Sequence, residues 1–205
     1  MHSNQQQPFA EIIESSLTTW RAQAWQWDYF ARFGALTTIE TPERVIFGLV
    51  YSIETGSRDP GRTAYAYKKT EAELRHEQPQ IFEFLQTTFS CVTLGYLQDT
   101  RLLYQLAPEP PKIHSFVTYA QEQHITTFFS SEQYLHILFE FAHQFFSLDE
   151  LLLALLKNLS DQQALTHACF TRFIETFSLL TANDYRRLKL FLQRAQTSIH
   201  IQVQE

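Results

Sequence analysis

The side chains able to do chemistry are few and scattered. Glu54-Thr-Gly-Ser-Arg-Asp-Pro-Gly-Arg62 comes nearest to a phosphate cradle. Such a cradle needs a glycine-rich turn that ends in Lys followed by Ser or Thr, and this one does not. His136 and His143 lie seven apart on one helical stretch, too far along the axis to share a metal, and His114 and His124 have no His or Cys at ligand spacing. Cys91 and Cys169 sit among apolar neighbours, and no Gly-x-Ser-x-Gly elbow is present. The expectation is a chain with no cofactor, no metal and no catalytic residue, so not an enzyme, unless the fold assembles a site that spacing cannot show.

Two basic clusters remain. Arg58, Arg62, Lys68 and Lys69 flank a loop around Gly56, and Arg186, Arg187, Lys189 and Arg194 lie near the end of the chain. Either could meet a phosphate backbone or an acidic partner. Equally, both could be solvated faces, with Asp59 pairing a loop arginine and Asp184 opening a helix whose later cations complement its dipole. The loop is the better binding candidate, because loops on rigid scaffolds often carry function.

These residues must be held by a core, and the composition supplies one. In 205 residues the chain has 44% hydrophobic content and 15% aromatic content, with only five glycines. That predicts one sizeable, ring-packed core with few loops. A net charge of -6 opposes wholesale binding to nucleic acid and leaves a local basic patch open. The two cysteines read as reduced core thiols. No apolar run is long enough for a membrane span, and the Met-His-Ser-Asn-Gln-Gln-Gln-Pro start lacks the features of a signal peptide. A cytoplasmic location with no membrane contact is expected.

The first half reads as strands at 9–16, 17–27, 35–40, 43–54, 88–98 and 101–107. In the fourth, Val45, Phe47, Leu49, Tyr51 and Ile53 alternate onto one face, which predicts that this face is buried. Gly48 in its middle predicts a bend or a close approach of the backbone, as a tightly curved barrel requires. Thr70 with Glu73 marks a helix start, and Pro79 suits the opening of a second helix, so an insertion at about 70–87 is expected to plug one barrel end. The prolines of Ala107-Pro-Glu-Pro-Pro-Lys112 mark a boundary. Beyond it, Thr118/Gln121, Ser130/Gln133, Ser147/Glu150, Ser160/Gln163 and Thr181/Asp184 predict four or five helices. In the last of these, Tyr185, Leu188, Phe191, Leu192 and Ala195 share an apolar face. The final octet alternates Ile199, Ile201 and Val203 with polar residues, and a returning strand and a frayed tail both stay open. The fold class is therefore α+β. It comprises a small N-terminal six-stranded β-barrel over 9–110 with a helical insertion, followed by a C-terminal helical bundle over 111–205 packed on the barrel.

Phe47-Gly-Leu-Val-Tyr51, Thr55-Gly-Ser-Arg-Asp-Pro60 with Arg62, Glu77-Gln-Pro-Gln-Ile-Phe82, Tyr104-Gln-Leu-Ala-Pro108 and Pro110-Pro-Lys-Ile-His114 follow one another in an order that resembles a known family. So does Asp149-Glu-Leu-Leu-Leu-Ala154. The family is the uncharacterised cyanobacterial and related bacterial proteins built on the HAS barrel, the small barrel shared by HerA-type DNA translocases and ATP synthase. The resemblance spans roughly 9–155. It implies a barrel without its motor, a non-enzymatic scaffold or adaptor that engages a HerA-like or other ring ATPase. The helical half replaces the ATPase core, so translocation itself does not transfer. The expected contact residues are Gly56, Arg58, Asp59, Arg62, Lys68 and Lys69 on the loop, with His114 on the proline-rich segment. The alternative is weak nucleic-acid contact through the basic loop 58–69, and a homo-oligomer is compatible with either.

Overall fold

Seven strands form the sheet of this computed structural model, which describes residues 7–59, 61 and 66–199. They are β1 (Ala10–Ser15), β2 (Thr19–Ala24), β3 (Leu36–Glu40), β4 (Arg44–Ser57), β5 (Leu85–Gln98), β6 (Arg101–Leu103) and β7 (Phe116–Tyr119). Six of them close a ring in the order β1-β2-β5-β4-β3-β7, with β7 pairing back onto β1, and every pairing is antiparallel. The barrel is therefore closed and six-stranded. Its sixth stave is not the expected strand at 101–107, however.

Asp99 takes a left-handed φ of 55° and turns the chain into β6, which pairs only with the last three residues of β5. That hairpin is a flap outside the ring. The chain then passes through its prolines, with the Pro111 carbonyl accepting from the Ser15 hydroxyl at 2.6 Å, and returns as β7 to join β1 and β3. The prolines carry the chain back to the barrel rather than out of it. A boundary at 110 therefore cuts off the closing strand.

Interior packing explains Gly48. The Trp20 indole lies inside the ring, and a Cβ added at Gly48 would sit 2.4 Å from its Cζ2. The β4–β5 register slips between Phe47 and Gly48, so the bend and the close approach coincide there. Both faces of β4 are used. Ile46 and Val50 face the barrel interior, while Phe47 and Leu49 join a second cluster with the helices. Val45 and Tyr51 pack on that outer cluster as the alternation predicts, but a second slip between Val50 and Ser52 changes the phase, and Ile53 packs with the interior instead.

The helices are α1 (Glu71–Glu77), α2 (Gln80–Glu83), α3 (Glu122–Phe128), α4 (Gln133–Glu140), α5 (Leu148–Asp161), α6 (His167–Leu180) and α7 (Tyr185–Ser198). α1 starts in the expected capping box: the Thr70 hydroxyl accepts from the Glu73 N–H at 3.3 Å, and the Glu73 carboxylate accepts from the Thr70 N–H at 2.7 Å. Pro79 holds the N-cap of α2. Neither helix has a buried residue, so the insertion is docked on the surface rather than plugging an end. Its anchor is Phe82, stacked on Trp27 at 5.8 Å.

Ser147 caps α5 as expected. Thr166 rather than Ser160 caps α6, because α5 continues through Asp161, and Asp184 itself, not Thr181, caps α7. Thr118 lies in β7, and the N-cap positions of α3 and α4 are Gln121 and Glu132, without side-chain caps.

α5 is the central helix of the bundle, with Leu148, Leu151, Leu152, Leu155, Leu156 and Leu159 all buried. Gly34, at φ 73°, brings its backbone against it, and a Cβ there would lie 2.7 Å from the Leu155 nitrogen. On α7, Phe191 and Ala195 are buried and Leu188 and Leu192 half-buried, but Tyr185 is exposed. Ile199 caps α7 and is buried; residues 200–205, where the terminal alternation continues, lie outside the described residues.

Candidate interaction surfaces

Strand direction separates the two segments that the sequence joins into one surface. β4 runs from Arg44 at one mouth of the barrel to Ser57 at the other, and β5 returns to pair Gln98 with Arg44. The loop after Ser57 therefore leaves at the second mouth. Glu40, at the end of β3, pairs with Val45 and so lies at the first, and it shares a cleft of about 370 Å³ with His114, Phe116, Thr118 and Gln121. His114 thus stands at the opposite end from Gly56 and the Arg58 that follows β4.

At the second mouth, Gly56 is exposed, with open space where a Cβ would be. Arg58 is exposed, and its backbone N–H donates to the Phe84 carbonyl at 2.7 Å. Asp59 closes a tight turn, its Oδ1 accepting from the Gly61 N–H at 2.9 Å. Arg62 lies outside the described residues. Lys68 is exposed at φ 57°, and Lys69 pairs with Glu77.

Beside them, the Arg75 guanidinium lies 4.6 Å from the Phe82 ring centroid and reaches Glu71 at 2.8 Å and Asp28 at 3.3 Å. The two hydrogen bonds from Thr70 hold the Glu73 carboxyl below its usual range. Across 54–85, Arg58, Arg62, Lys68, Lys69 and Arg75 are matched by Glu54, Asp59, Glu71, Glu73, Glu77 and Glu83. This end is a mosaic of charges rather than a basic patch.

The second basic cluster holds two helices together. Arg187 donates to Asp149 at 2.6 and 3.3 Å, with its guanidinium near the Phe139 and Phe177 rings, and Arg194 reaches Glu150 at 2.6 Å. These pairs tie α7 to the first turn of α5. Arg186 and Lys189 are exposed.

At the first mouth, His114 takes φ 69° and pairs with Glu11 on β1. Next to it, Phe116 is 55% exposed and meets Trp25, 48% exposed, edge-on at 5.4 Å. This aromatic pair lies on the β7–β1–β2 side, away from the outward residues of β4 and β5 that carry the helices. Sequence reasoning missed it. Alternation through β2 carried the signal, because Trp20, Ala22 and Ala24 are buried, and Trp25 follows that run into solvent. Around Phe116 the signal was short, since the strand-favouring run Phe116-Val-Thr-Tyr119 is only four residues long.

The chemistry of the remaining groups is muted. Burial pushes both thiols up, Cys91 far and Cys169 less, and neither cysteine is in a disulfide. Burial, with the nearby Glu132 charge, pushes the Tyr104 hydroxyl up to about 12. Among the described residues, no three His, Cys, Asp or Glu side chains gather as a metal site, and no helix is long and apolar enough to cross a membrane. No protein-family model matches the chain, and no curated protein matches it either.

Proposed function

We propose that the protein is a non-enzymatic scaffold that engages a partner protein through the face of its barrel left bare by the helices. The observation that carries this reading is the exposed Trp25–Phe116 pair, formed by the residue just past the end of β2 and the first residue of β7, beside the His114 cleft. Aromatic side chains offer large contact area at low entropic cost, and they are enriched where proteins meet. The resemblance to HAS-barrel proteins extends the reading to a ring ATPase as the partner, and the small closed barrel is compatible with that. The charge mosaic around 54–85 weighs against nucleic acid, since Lys69 and Arg75 already face Glu77, Glu71 and Asp28.

The test is affinity purification of the tagged chain, with Trp25→Ala/Phe116→Ala as the paired control. Recovery of an ATPase carrying a phosphate-binding loop, lost in the double variant, is the expected result. Recovery of nucleic acid alone, released by salt, would overturn it, as would the same ATPase held equally by the double variant.

A further inference from the structure

β4 outlasts its neighbour. β3 pairs with it only from Val45 to Leu49, after which the Val50 N–H donates to the Ala35 carbonyl and the Val50 carbonyl accepts from the Gly34 N–H. Past the slip at Val50/Ser52, β4 is paired with β5 alone. Since the Arg58 N–H points to Phe84, and inward and outward groups alternate along an antiparallel ladder, Ser52, Glu54 and Gly56 turn their backbone to β5. Ile53, Thr55 and Ser57 turn theirs outward, where no described residue bonds to them. Beyond the slip, two of the common edge-blocking residues are missing. The free side of β6 is three residues long and headed by Arg101, whereas residues 53–57 contain no proline and no lysine.

We propose that a second copy of the chain completes this edge, β4 against β4, antiparallel about a twofold axis. The outward residues are spaced evenly about Thr55. An axis through Thr55 pairs it with itself and Ile53 with Ser57 of the other copy, so every outward group is bonded, by about six hydrogen bonds in all. The same register sets Glu54 opposite Gly56, where the missing side chain leaves open space. It also brings Arg58 of the other copy to the diagonal position beside Glu54, which already faces Arg21 at 3.0 Å. Moving the axis to Glu54 would oppose two carboxylates; moving it to Gly56 would leave Ile53 facing Asp59, beyond the end of the strand. The edge is therefore self-complementary in one register, independently of the partner reading above.

Analytical ultracentrifugation of the full chain over a concentration series tests this, with Thr55→Pro and two cysteine variants. The wild type is expected to dimerise reversibly. Thr55→Pro removes an outward N–H in each copy and should weaken the dimer about tenfold or more. Under mild oxidation Thr55→Cys should cross-link two chains, because residues paired on the axis stand about 5.5 Å apart between Cα atoms, within disulfide reach. Gly56→Cys should not, its copies lying about 7–8 Å apart. A monomer at every concentration would overturn the proposal. So would equal cross-linking by both cysteine variants, or a dimer that Thr55→Pro leaves unchanged.

Discussion

Gly48 and Trp20 compete for one volume inside the barrel. Gly48→Ala should cost about 1–3 kcal/mol, because a Cβ 2.4 Å from the indole forces the ring to move within a packed interior. The change would be read as a lower denaturant midpoint, and Trp20→Phe in the same background should recover part of it, which a general loss of strand propensity would not allow. The thiols give a pH signature. Cys91 and Cys169 keep their protons in the folded protein after the unfolded chain has released its own, so their contribution is complete below the ordinary value of 9.0 and is lost as pH rises beyond it. Denaturation across alkaline pH should show stability falling above about pH 9, and Cys91→Ala, though less stable at neutrality, should fall less steeply. Of this interior, the sequence disclosed the need for a close approach at Gly48 but not its occupant. Trp20 lies 28 positions away, and strand pairing does not reveal which ring fills a barrel.

Helix starts were legible where a capping residue stood three positions ahead of a glutamate, as at Thr70 with Glu73 and Ser147 with Glu150. They were displaced where the same residue types recur a few residues further on, as when Thr166 takes the position sought at Ser160. The basic stretch on α7 shows why charge alone is ambiguous: Arg187 and Arg194 are bound to acids in the first turn of α5, which no local pattern announces. A double-mutant cycle on Arg187 and Asp149 should return a coupling of about 0.5–1 kcal/mol, typical of a half-exposed ion pair. The insertion depends on fewer contacts. Trp27→Ala removes the ring on which Phe82 stacks, so amide exchange should rise across α1 and α2 while the denaturation midpoint moves little. A large fall in the midpoint would mean that the insertion supports the barrel after all.

At the scale of the molecule, Phe47, Leu49, Val92 and Leu94 share one buried cluster with residues of α3 to α7. Barrel and helices should therefore unfold in a single transition, with far-ultraviolet and tryptophan signals coinciding, since all three tryptophans lie on the barrel side. Two separated transitions would argue against a common core. The two-layer division was legible from the change in periodicity, but its boundary was not. Prolines mark where regular pairing stops, and Phe116-Val-Thr-Tyr119, though built of strand-favouring residues, is too short to announce by itself that pairing resumes. That late return has a consequence for biosynthesis. The strand that closes the ring pairs with Ala10 and Glu11, more than a hundred residues earlier. As the chain emerges from the ribosome, its first five staves wait with β1 and β3 unpaired on their outer sides until β7 is made. Closure by so distant a pairing is entropically slow, and this nascent interval, more than the finished protein, is where misassembly and chaperone capture would concentrate.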